Sequence, residues 1–169
     1  HILSKDKFLY RAIKADKLSS IIFFGPPGCG KTTIAKIIAN TTKSNFKQIN
    51  ATTAGKKEME EAISEAKISI SMYKKKTILF IDEIHRFNKS QQDYLLPFVE
   101  DGTIILIGAT TENPYYSLNN ALLSRCLAFE FKKLNEEDLF KILKNINRKE
   151  KFDFSEEILS YIAEIIEGD

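Results

Sequence analysis

The stretch Phe23 to Thr33, FFGPPGCGKTT, leaves an apolar run through two prolines and three glycines. It sets a lysine and two threonines at the exit and passes directly into the helical pattern IAKIIAN. Few folds can use such a sequence. Gly25, Gly30, Lys31 and Thr32 satisfy the spacing G-x-x-x-x-G-K-[ST] between a strand and a helix, the context that spacing needs to cradle phosphate. The glycines let backbone amides turn inward around anionic oxygens, and the first turn of the helix adds unpaired N–H groups and the positive end of its dipole. On this reading Gly25, Pro26, Pro27, Gly28, Cys29, Gly30, Lys31, Thr32 and Thr33 form a phosphate-binding loop for ATP or ADP. Lys31 bridges the β- and γ-phosphates, Thr32 offers its hydroxyl to Mg²⁺, and Pro26 and Pro27 stiffen the loop. Cys29 lies in the loop with nothing to mark it as a nucleophile.

The rest of the chain supplies the layers such a loop requires. SSIIFFG, TILFID (77–82) and TIILIGAT (103–110) carry apolar runs without alternation, the mark of strands buried on both faces of a parallel sheet. FKQIN (46–50) and LAFEF (127–131) read as shorter, peripheral strands. Helical patterns at 31–40, 56–72, 89–98 and 118–123 fall between them, the third opened by Asn88 with Gln91 three residues on, a capping box. This alternation implies an α/β three-layer sandwich with a five-stranded parallel sheet and ligands at the carboxyl ends of its strands. An apolar stripe at Leu3, Phe8, Leu9, Ala12 and Ile13 predicts a further helix before the first strand. From Leu134 the pattern turns wholly helical, so the expected domains are an α/β nucleotide-binding domain over 1–133 and the beginning of an incomplete helical lobe over 134–169.

Composition excludes several classes. No apolar stretch approaches the ~20 residues a membrane crossing needs. Two cysteines and two histidines fit neither a disulfide framework nor a zinc spacing, which suggests a reducing, cytoplasmic setting. A net charge of +2 argues neither for nor against nucleic acid. Lys56, Lys57 and Lys74 to Lys76 are basic clusters of the kind that usually mark solvated turns.

A phosphate cradle alone hydrolyses nothing. TILFIDEIHRF supplies what is missing: an apolar strand ending in Asp82 places one carboxylate at the sheet edge for the Mg²⁺ shell, and Glu83 beside it can polarise water in line with the γ-phosphate. His85 has no partner ligands in the sequence and is given no chemistry.

GPPGCGKTT, ILFIDEIHRF, LIGATTENP and ALLSRC, in this order, resemble the AAA+ ATPases. They are most similar to the replication-associated recombination protein A family, which is related to the eukaryotic Werner-helicase-interacting ATPase. The resemblance runs through nearly the whole chain. It implies the strand order 5-1-4-3-2, a helical lid, and ATP hydrolysis between neighbouring subunits of a homo-oligomer. It further implies binding to single-stranded, gapped or forked DNA, single-strand DNA-binding protein as a partner, and a nucleoid-associated cytoplasmic role at stalled forks.

Carried over by position, Thr111 resembles the polar sensor after the fourth strand, with Asn113 as the nearby alternative. Asn50 is similar to the residue that restrains the catalytic glutamate, and Arg125 in SRC resembles an arginine finger acting in the adjacent protomer, the bland alternative being an intramolecular salt bridge. If Arg125 is the finger, the isolated fragment is a weak ATPase, because a missing finger costs ~10³ to 10⁵ in rate. The arginine that resembles a second sensor is expected just beyond Gly168–Asp169, and the adenine-contacting segment before His1. Two other readings stay open: a clamp-loader-like subunit, and a non-catalytic scaffold switched by nucleotide.

Overall fold

The computed structural model describes residues 18–133, 135–150, 152 and 154–168; the helix expected over the first residues lies outside them. Five strands, β1 (Ser20–Phe24), β2 (Asn45–Asn50), β3 (Thr77–Asp82), β4 (Ile105–Thr110) and β5 (Cys126–Glu130), make one sheet in the order β2-β3-β4-β1-β5. Every neighbouring pair is parallel. This is the expected order 5-1-4-3-2 read from the other edge.

Burial explains the uninterrupted apolar runs. In β1, Ile22 packs with one core while Ile21 and Phe23 pack with a second. In β3, Leu79 and Ile81 go to the first and Ile78 and Phe80 to the second. Successive side chains of a strand point to opposite faces, so a strand covered on both sides must be apolar at every position. Helix α1 (Lys31–Thr41) covers the second core with Ala35, Ile38 and Ala39. Helices α2 (Lys56–Tyr73) and α3 (Lys89–Glu100) cover the first with Met59, Ala62, Ile63, Ala66 and Leu95.

The caps follow the sequence. Asn88 Oδ1 accepts from Gln91 N and Gln91 Oε1 accepts from Asn88 N, both at 2.9 Å, which closes the capping box of α3. The helix runs through Pro97 to Glu100, two residues past its expected end. Thr103, expected in β4, instead forms a turn in which its N–H donates to Asp101 Oδ1 at 2.8 Å. The helix expected at 118–123 is shorter, α5 (Asn120–Leu123), and an unexpected helix, α4 (Pro114–Ser117), precedes it across an extended Leu118. Asn113 and Asn119 each cap one of them, and two strong capping residues so close together give two starts rather than one.

The chain divides into two compact units between Phe131 and Lys132. The second holds α6 (Glu136–Glu150) and α7 (Glu156–Gly168), joined by a Lys144–Glu156 ion pair and by Asn147, whose Nδ2 donates to the Phe154 carbonyl at 3.0 Å. Among the described residues, no helix is long and apolar enough to cross a membrane.

Candidate nucleotide site

The loop after β1 is fixed at both sides before it turns. Gly25 N donates to the Thr110 carbonyl at the end of β4 (3.2 Å), and Phe131 N donates to the Phe24 carbonyl (2.7 Å). Gly28 and Gly30 then take left-handed backbone with φ of 74° and 88°, and nothing lies within 4 Å of where a Cβ would stand on either. Gly30 is the residue from which α1 starts. The loop runs directly into the first turn of α1, whose unpaired N–H groups are what an anion at a helix N-terminus needs.

Lys31 is buried, 8% exposed, and its ammonium is folded back on the loop. Nζ donates to the Gly25 carbonyl at 2.8 Å and to the Pro26 carbonyl at 2.7 Å, with Cys29 Sγ at 3.7 Å. Cys29 spends its own thiol on the Pro26 carbonyl at 2.8 Å. Among the described residues, the ammonium is held by neutral acceptors and a thiol.

Strands β1 and β3 flank β4, so the loop and the Asp82–Glu83 pair emerge on the same carboxyl edge, separated by the width of one intervening strand, roughly 10 Å from β1 to β3. Asp82 closes β3 and its Oδ1 accepts from Glu83 N at 3.2 Å. Glu83 has φ 52° and ψ 43°, left-handed backbone that few non-glycine residues adopt. The 3-10 turn Ile84–Arg86 follows at once. Thr32 and Asp82 are hard oxygen donors of the kind that suits a magnesium ion sharing phosphate oxygens. Among the described residues, no group of three or more His, Cys, Asp or Glu forms an all-protein metal cage.

The remaining expected residues are distributed unevenly. Thr111 is exposed, one residue past the end of β4; the fully buried hydroxyl at that strand end belongs to Thr110. Asn113 Oδ1 accepts from Tyr115 N at 3.0 Å as the cap of α4. Asn50 ends β2, and its Oδ1 accepts from Thr52 N (2.9 Å) and Thr52 Oγ1 (2.7 Å), a turn closed within its own loop. The side chain beside Glu83 is instead His85, with Nδ1 3.3 Å from Glu83 Oε2. Sequence reading gave this histidine no chemistry because no spacing marks it: two of its partners, Thr110 and Glu112, come from the end of β4.

Arg125, after α5, forms an ion pair with Glu100 at the end of α3, and its Nη1 donates to the Ala121 carbonyl at 2.7 Å. Gln92 joins the two elements by donating to the Phe87 carbonyl and accepting from Asn119 N, both at 2.9 Å. Burial pushes the neighbouring Cys126 thiol up to about 12, so it carries no thiolate chemistry at neutral pH.

Comparison with known proteins agrees with this geometry. Over its whole length the chain is 47% identical to replication-associated recombination protein A of Haemophilus influenzae and 46% identical to that of Escherichia coli, spanning 39% of each. It is 44% identical over 99% of its length to ATPase WRNIP1 of Dictyostelium discoideum, spanning 20% of that protein. In structure it resembles the RuvB Holliday junction branch migration motor of Thermotoga maritima, with a TM-score of 0.74 and 28% identity over 92% of this chain and 52% of that one. Residues 21–134 match the AAA family, the ATPases associated with various cellular activities, and with the loop, acidic pair and sheet order described above the chain belongs to that family.

Proposed function

We propose that the chain is the Mg²⁺-dependent ATP-hydrolysing module of a replication and recombination maintenance factor. In this reading it works as a homo-oligomer on single-stranded, gapped or forked DNA, in the cytoplasm at the nucleoid, with single-strand DNA-binding protein as a partner. One observation carries the chemistry: the glycine loop after β1 and the carboxylates after β3 open on the same edge of the sheet on either side of β4. The likeness to replication-associated recombination protein A and to WRNIP1 supports the setting.

Lys31 exchanges two carbonyl acceptors for phosphate oxygens, a gain because charge-assisted hydrogen bonds are roughly twice as strong as neutral ones. Thr32 and Asp82 would hold the Mg²⁺, which would supply neutralisation of the charge on the phosphates. Glu83 accepts the proton of the attacking water and orients it in line. Arg125, released from Glu100, reaches a neighbouring protomer's site and stabilises charge on the transferring group. Thr111 or Asn113 senses the γ-phosphate side, Asn50 restrains Glu83 once released from its turn with Thr52, and α6 and α7 begin the lid.

The test is ATP turnover by the full chain, with and without forked DNA. Glu83→Gln is expected to remove turnover while nucleotide still binds, and normal turnover by that variant would sink the catalytic assignment in favour of a nucleotide-switched scaffold. Mixing Lys31→Ala with Arg125→Ala protomers is expected to recover part of the activity, because each supplies what the other lacks. No recovery would make Arg125 an intramolecular partner of Glu100. Turnover that appears only with heterologous subunits would favour a clamp-loader-like role.

A further inference from the structure

The His85 side chain is 4% exposed, yet it sits between two carboxylates. Its Nδ1 lies 2.8 Å from Thr110 Oγ1 and 3.3 Å from Glu83 Oε2, and its Nε2 lies 3.5 Å from Glu112 Oε1. Thr110 is fully buried, and its hydroxyl oxygen already accepts from Glu112 N at 3.0 Å. The imidazole therefore ties three groups from two elements into one cluster: the proposed base after β3, the buried hydroxyl that ends β4, and the carboxylate two residues beyond it. A carboxylate is an acceptor only, so a proton on Nδ1 serves Glu83, as one on Nε2 serves Glu112.

The backbone supports the same conclusion. Glu83 sits in left-handed backbone at φ 52°, a conformation that persists only where the surroundings over-determine it. Ile84, completely buried in the first core, anchors the next residue, and Arg86 N donates to the Glu83 carbonyl at 2.8 Å. Those contacts fix the main chain. Among the described residues, the Glu83 side chain, 30% exposed, meets His85.

We propose that His85 is a positioning residue for hydrolysis: its Nδ1–H holds the Glu83 carboxylate in the orientation from which it takes up water, and through Thr110 and Glu112 it makes that orientation follow the end of β4. The proposal rests on Glu83 being the base. Any displacement of the β4 end when the loop fills is then passed to Glu83 by a hydrogen bond rather than through the backbone of β3.

The experiment compares His85→Phe, His85→Gln and Glu83→Gln in the full chain. His85→Phe keeps a ring without an N–H at Nδ1, and kcat is expected to fall roughly 10- to 100-fold while the affinity for a fluorescent ATP analogue stays within about threefold, the pattern of a lost orienting partner. His85→Gln, which can return an N–H to Glu83, is expected to recover part of that loss. The 169 residues contain two histidines, so the imidazole ¹⁵N signals of His85 are assigned by their absence in His85→Gln. They are expected to shift in Glu83→Gln, because the amide that replaces the carboxylate no longer offers two anionic acceptor oxygens beside Nδ1. This spectrum does not depend on turnover or on His85→Phe folding. Wild-type kcat in His85→Phe with an inert Glu83→Gln overturns the inference and leaves the ATPase reading standing. Unchanged His85 signals in Glu83→Gln overturn it as well. Normal turnover in Glu83→Gln overturns both.

Discussion

A Cβ on Gly25 would stand 2.1 Å from the carbonyl oxygen of Phe131, so the first residue of the phosphate loop and the residue just past β5 are in direct backbone contact. Gly25 also has φ 141°, which side-chain-bearing residues rarely adopt. Gly25→Ala must push two main-chain segments apart, because no side chain is there to give way. It is expected to cost about 3 kcal/mol or more, read by urea denaturation. Gly28→Ala meets nothing within 4 Å and carries only the penalty of its left-handed φ, about 1 kcal/mol. Equal effects of the two would contradict the packing of the loop on β5.

Gly108, in the middle of β4, leaves room for Ile84: an added Cβ would meet Ile22 Cδ1 at 2.8 Å and Ile84 Cδ1 at 2.9 Å. The obstructing atoms are side-chain ends, so Gly108→Ala is expected to fold with a loss of about 1–3 kcal/mol. Because Ile84 follows Glu83, ATP turnover is expected to drop further than nucleotide affinity does. A variant that loses both in proportion would show that the strain goes elsewhere.

Thr77 is buried at 4% exposure, and among the described residues its Oγ1 is the one fully enclosed side-chain polar atom without a hydrogen-bond partner. Burying an unpaired hydroxyl costs free energy that an apolar group of the same shape does not. Thr77→Val is expected to raise stability by about 1 kcal/mol, visible as a higher denaturation midpoint at unchanged slope.

Arg125 and Glu100 form a half-exposed pair, with side-chain exposures of 39% and 49%. Pairs of that kind contribute about 1 kcal/mol or less. Glu100→Ala and Arg125→Ala are therefore expected to denature within about that much of the parent chain. In an assembled enzyme only Arg125→Ala is expected to lose activity, by ~10³ or more. If Glu100→Ala lost as much, the pair rather than the free arginine would be the working unit.

Glu58 holds the start of α2 by accepting from Gly55 N at 2.8 Å. Its own backbone N–H and that of Gly55 bring its pKa below the ordinary 4.5. A carboxyl whose folded pKa is depressed stabilises the fold fully above its ordinary value and loses that contribution as pH falls through the folded value. Glu58→Gln is thus expected to cost stability at neutral pH and to converge on the parent chain under acid conditions, checked by denaturation midpoints at both.

The elements that carry local signals were readable from the chain. The apolar runs of β1, β3 and β4, the capping box of Asn88 and Gln91, and the loop spacing from Gly25 to Thr32 depend on groups within a few residues of one another. Where two local signals competed, as at Asn113 and Asn119, reading failed: each capping asparagine opens its own short helix.

What the sequence determined by itself is the alternation of strand and helix, the glycine loop after β1, and the acidic pair at the end of β3, because backbone propensity, side-chain period and capping act over one or two turns. Only the tertiary structure decided that His85 meets Glu83 under Thr110, that Arg125 rests on Glu100, and that Gly25 touches Phe131. Thr110 lies 25 residues from His85, as Arg125 does from Glu100, and Phe131 is farther still from Gly25. The order in which parallel strands lie side by side brings such residues together, and no local period encodes it.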